Sequence, residues 1–207
     1  MIQDHRTTED CSDLIRDLVV EFPIASDALL THALRHAFIA FCEKSHFWHM
    51  QLDTLIAEDG VTNYELSAGN YFLLLDIKKV TVPDGEVKQS AKDLGIYARW
   101  DQSSADSIDL YSIDPGDEVT IIAAVKPKEF NGELKFSKLI LDDYRAAILN
   151  GARAYLFRLP KKEWTDLQQF QLCDSLFNTA CGEARRRQVD SFSRLGNRVT
   201  EKARPFY

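Results

Sequence analysis

The 207-residue chain has little of what usually announces chemistry. Its four cysteines, Cys11, Cys42, Cys173 and Cys181, are scattered without a C-x-x-C pair. That spacing argues against a zinc knuckle or a disulfide framework and for reduced thiols serving as small core residues. The nine glycines are dispersed, and neither a G-x-x-x-x-G-K-[ST] nor a G-x-G-x-x-G loop occurs, so no phosphate cradle is encoded. No G-x-S-x-G elbow presents a nucleophile. Long apolar runs are missing as well: none approaches the roughly 18 to 20 uncharged residues of a membrane span. The opening MIQDHRTTEDC lacks the basic-then-apolar layout of a signal peptide. Synthesis in a cytosol without membrane association is therefore expected. Positive charge is in deficit, with a formal net charge of -7, which argues against a whole surface built to hold nucleic acid. No enzymatic activity, cofactor or metal is expected.

What is there is an ordinary globular composition, 45% apolar and 28% charged, in a chain long enough for one or two domains with a real core. The charge is unevenly placed. From Glu183 onward, Arg185, Arg186, Arg187, Arg194, Arg198, Lys202 and Arg204 outnumber Glu183, Asp190 and Glu201, a local balance of +4 that leaves -11 on the rest. An acidic body with a basic tail suggests that the tail seeks an acidic partner.

The hydrophobic period changes twice along the chain. CSDLIRDLVVEF places Leu14, Ile15, Leu18, Val19 and Phe22 at helical spacing after a capping Ser12, and Pro23 ends the helix. A second helix is expected from Ser26 to about Trp48, with Leu30, Leu34, Ala37, Phe41 and Trp48 on its core face. Residues 55–137 read as a compact antiparallel β-unit, with strands on either side of Asp114-Pro115-Gly116-Asp117 and a further turn signal at Asn131-Gly132. Helical spacing returns over Leu139 to Leu159, is stopped by Pro160, and resumes in a long helix buried through Phe170, Cys173, Phe177, Ala180 or Cys181, and Ala184. The expected fold is α+β: a helical bundle of about four helices with an antiparallel β insertion between the first and second helix pairs, and an extended C-terminal tail. The divisions are 1–54 and 138–189 for the bundle, 55–137 for the insertion and 190–207 for the tail.

Four of the five histidines lie in THALRHAFIAFCEKSHFWHM. His32 and His36 share a helical face, but His46 is about 21 Å further along the axis, beyond the span of one metal ion. Two imidazoles need at least a third ligand for zinc, and no H-E-x-x-H or cysteine pair supplies it. Outward-facing His32 and His36, with Ile39 between them and His46, instead suit a subunit interface. Arg185 to Arg187 have two readings. They are either a solvated helix end complementing the macrodipole, or the start of a docking segment that Arg194, Arg198, Arg204 and the aromatic anchors Phe206 and Tyr207 continue.

The order of elements and several local motifs resemble the head-to-tail adaptor (connector) proteins of tailed bacteriophages. DLIRDLVVEFP and ALLTHALRHAFIAFCEKSHFWHMQLD look like the family's first helical pair, leading through a Trp into a β-insert. DDYRAAILNGARAYLFRLPKKEWTDLQQFQLCDSLFNTACGEARRR looks like its second pair, stopped at Leu-Pro and reopened at a Trp. RVTEKARPFY is similar to the family's short basic tails. The resemblance implies a non-enzymatic virion protein of the neck or tail, assembled in the host cytoplasm as a ring, typically of twelve copies, beneath the portal protein. It implies portal contact through Arg185, Arg186, Arg187, Arg194, Arg198, Arg204, Pro205, Phe206 and Tyr207, and a platform for the next tail or nozzle protein. DNA would pass without specific binding, eased by an acidic channel lining that repels phosphates. The alternative reading is a nucleic-acid-associated regulatory protein using the Arg-rich helix and tail; a third is a metal-dependent enzyme built on His32 and His36.

Overall fold

The computed structural model describes residues 8–10, 12–87, 100–128 and 135–196. Their order is β1 (Thr8–Asp10), α1 (Ser12–Glu21), α2 (Asp27–Ser45), β2 (His49–Gln51), β3 (Leu55–Ile56), β4 (Asn63–Glu65), β5 (Phe72–Val82), β6 (Gly85–Val87), β7 (Trp100–Ser104), β8 (Ser107–Leu110), β9 (Glu118–Pro127), β10 (Lys135–Ser137), α3 (Lys138–Phe157) and α4 (Leu167–Gly196).

The helices start and stop where local chemistry satisfies their end groups. Ser26 is extended and its Oγ accepts the Leu29 amide at 3.4 Å, opening α2. The helix ends at His46, which adopts the left-handed conformation and donates its amide to the Cys42 carbonyl. Asp166 opens α4, its Oδ1 accepting the amides of Gln168 and Gln169 at 2.8 and 3.0 Å. Lys161 to Asp166 therefore form a turn rather than the start of the helix. Within α3, Tyr144 departs from helical geometry (φ -130°, ψ 21°) and bends the helix.

The helical period found in the sequence corresponds to burial. Leu14 and Leu18 of α1, Leu30, Leu34, Ala37 and Phe41 of α2, Ile148 and Ala152 of α3, and Phe177, Cys181 and Ala184 of α4 are buried in one cluster, and Cys173 of α4 is buried as well. Gly151 of α3 lets three helices meet: a Cβ there would lie 2.9 Å from both Ala37 Cβ and the Phe177 ring.

The fold is nevertheless not a helical bundle carrying a small β insertion. It is α+β and β-rich, with strands drawn from most of the chain. β2 lies directly after α2 and pairs with β9, while β1, near the N-terminus, pairs with β10 beside α3. The main sheet runs β2-β9-β5-β6 with β3 continuing along the β9 edge, and β4-β8-β7 forms a second antiparallel sheet. This β part has its own core, around Ile77, Val80, Trp100, Ile108, Val119 and Ile121. Met50 and Ala68 touch both cores. The helices also meet the strands: Phe38 of α2 stacks on Phe136 of β10 at 3.9 Å, and Trp48, between α2 and β2, packs edge-on against Phe72 of β5 at 4.9 Å. Each buried side chain of this size contributes roughly 1.5–3 kcal/mol, so neither part is an appendage of the other. The strands on either side of Asp114 to Asp117, β8 and β9, lie in different sheets and do not pair with each other. The expected extended tail is also corrected at its start, since α4 continues well past Val189 to Gly196. The Asn131-Gly132 turn lies outside the described residues.

Candidate interaction surface

Three groups of charged side chains stand out once the elements are in place. The first is the late part of α4. Ala184 is fully buried, whereas Arg185, Arg186 and Arg187 are exposed. The Arg187 guanidinium sits 5.7 Å from the centre of the Tyr144 ring, at the bend of α3, a cation–π distance. Arg185 and Arg186 form no ion pair among the described residues. The backbone of Arg194 belongs to α4; Arg198, Arg204, Pro205, Phe206 and Tyr207 lie outside the described residues.

The second is the face shared by α2 and α3. His32 and His36 are exposed, one helical turn apart, and both rings lie against Tyr155 of α3, at centroid distances of 5.4 and 4.9 Å. Arg158, at the end of α3, places its guanidinium 5.4 Å from the same ring. Ile39 is half-buried. Tyr155 and Arg158 were not singled out from the sequence. The available signal was that neither 28–42 nor 144–162 contains a single Asp or Glu. Among the described residues no group of three His, Cys, Asp or Glu is placed to hold a metal ion, and both imidazoles rest against the Tyr155 ring.

The third group clamps α2 to the sheet. Two bulges in β5 interrupt its register around Asp76 and Lys78. Lys78 Nζ lies 2.6 Å from Asp76 Oδ2 and 3.1 Å from His46 Nδ1, and His46 Nδ1 is 3.5 Å from Asp76 Oδ2. The hydrogen bond from His46, with Lys78 adding to it against the cost of partial burial, holds the Asp76 carboxyl down at about 2. One turn earlier on α2, Glu43 pairs with Lys126 of β9. α1 is fixed to α3 in the same way, by Arg145–Asp17 and Arg153–Glu21.

No protein-family model matches the chain, and no curated protein matches its sequence. Function therefore has to be argued from these surfaces. Among the described thiols, burial pushes Cys42 and Cys173 up and Cys181 up to about 11, which favours the protonated form near neutral pH. Among the described residues, no helix is long and apolar enough to cross a membrane.

Proposed function

We propose that the chain is a structural head-to-tail adaptor of a tailed-phage virion. In this reading, copies form a ring under the portal protein, extend the DNA channel and offer a platform to the next tail component. The observation that carries it is the build of α4. Its first part is held against α2 and α3 through Phe177, Cys181 and Ala184. The helix then runs on to Gly196, with Arg185 and Arg186 exposed and the basic, aromatic-ended sequence of 197–207 following it. A rigid arm that presents arginines beyond the core suits docking into another protein, because the ordering cost of the arm is already met by its own fold.

The test is binding of the full chain to the portal protein of the same genome, measured by co-sedimentation. Arg185→Glu/Arg186→Glu should weaken binding by about tenfold or more. Salt-dependent binding of the wild type to duplex DNA, with no portal binding, would instead support the nucleic-acid-associated regulator.

A further inference from the structure

Most ion pairs among the described residues tie elements together: α1 to α3, α2 to β9, β5 to β6, and β5 to the end of α2. Some stretches carry charge of one sign only, although Asp27, Asp142, Asp143 and Glu163 border the cationic ones. Residues 28–42 of α2 and 144–162 of α3 and its following turn contain no carboxylate, whereas every charged residue in 52–67 and 100–118 is one. Arg158, Lys161 and Lys162 have no carboxylate partner among the described residues. Neither do Glu58, Asp59 and Asp114, all exposed at the β3–β8 end of the molecule.

The two regions lie at opposite ends. β3 pairs with the first residues of β9, at Glu118 and Val119, while Trp48 meets β9 near its far end, at Val125. β9 alone spans about 33 Å, and α2 reaches it near that far end, where Glu43 pairs with Lys126. The length of β9 therefore lies between the acidic end and the sheet end of α2. The cationic face also has an aromatic centre, since Tyr155 holds His32, His36 and Arg158 around one ring, and tyrosine is a residue type that anchors interfaces.

We propose that the α2–α3 face around Tyr155 and Arg158, continued by Lys161 and Lys162, docks on the acidic β-sheet end of a second copy. The inference rests on the ring-forming reading above and deepens it by naming which faces meet. Charge complementarity selects the occupant, and unlike patches repeated from copy to copy close into rings when the rotation between copies allows it.

Two full-length variants test it: Glu58→Lys/Asp59→Lys/Asp114→Lys and Arg158→Glu/Lys161→Glu/Lys162→Glu. Sedimentation velocity at low salt should show wild-type oligomers that dissociate as salt is raised. Each variant alone presents two like-charged surfaces and should associate at least about tenfold more weakly. An equimolar mixture should assemble again, because every contact then joins opposite charges. A variant that assembles like the wild type overturns the proposal. So does a mixture that stays monomeric although both variants melt as the wild type does, or a wild type that is monomeric at low salt. If a triple variant melts early, the single pair Asp59→Lys and Lys161→Glu is mixed instead and read in the same way. Restored mixing without portal binding would remove the adaptor reading and leave this contact standing; portal binding without restored mixing would do the reverse.

Discussion

Gly151 faces two opposing effects. Alanine in place of glycine inside a helix gains about 1 kcal/mol in propensity. Here the added Cβ would stand 2.9 Å from Ala37 Cβ and from the Phe177 ring, and overpacking of this kind costs about 1–3 kcal/mol. Because Ala37 Cβ is fixed to a helix backbone, relief requires α2 and α3 to move apart. Gly151→Ala should therefore lower stability by about 1 kcal/mol in urea unfolding; a stabilised variant would mean that the helices separate at no cost. Asp76 contributes through pH. Its folded carboxyl sits at about 2 against an ordinary value of 3.8, held down by His46 and Lys78, so the stabilisation is present above 3.8 and lost as the pH falls through about 2. The side chain is 39% exposed, and solvent screening reduces the contribution to the order of 1 kcal/mol. Asp76→Asn should be less stable than wild type at pH 7, with the two melting curves converging near pH 2. Neither position was visible from sequence. Gly151 looks like any glycine in a helical stripe, and the meeting of His46, Asp76 and Lys78 depends on two bulges and a left-handed helix end that no local pattern encodes.

At the level of elements, the four helices were legible because a 3.6-residue period of apolar side chains records directly which face is buried. Strand pairing was not, since β1 with β10 and β2 with β9 join segments far apart in the chain, and sequence carries no local signal of register. The end of α4 was missed for a related reason. From Arg185 to Ser191 no side chain is buried, so the apolar period fades while the helix does not. Two truncations follow from this. Removing residues after Gly196 leaves the described helix whole and should keep the melting temperature unchanged while portal binding falls. Ending the chain at Gly182 removes the buried Ala184 and the Arg187–Tyr144 contact, and should lower the melting temperature by about 4 °C or more. Equal melting temperatures for the two would mean that the end of α4 contributes nothing to the fold.

Across the whole molecule, the helices and the β part share the core through Met50 and Ala68, and each holds stretches with charge of one sign only, 28–42 and 144–162 without carboxylates and 52–67 and 100–118 without Lys or Arg. The segregation was already present in the linear sequence as stretches without Asp or Glu and stretches without Lys or Arg. Only the fold places those stretches at opposite ends. The candidate portal-contact residues were legible as a cluster of basic residues in sequence, because an arginine run needs no partner to be noticed. The His32–His36–Tyr155–Arg158 grouping was half legible: the histidine spacing pointed to one helix face, while Tyr155 comes from another helix. Whether the chain is the proposed ring-forming adaptor is decided by electron microscopy of the full chain mixed with the portal protein of the same genome. A ring of copies seated on one end of the portal, coaxial with its channel, is the expected image; a portal that remains bare at saturating concentrations of the folded protein would rule the adaptor out.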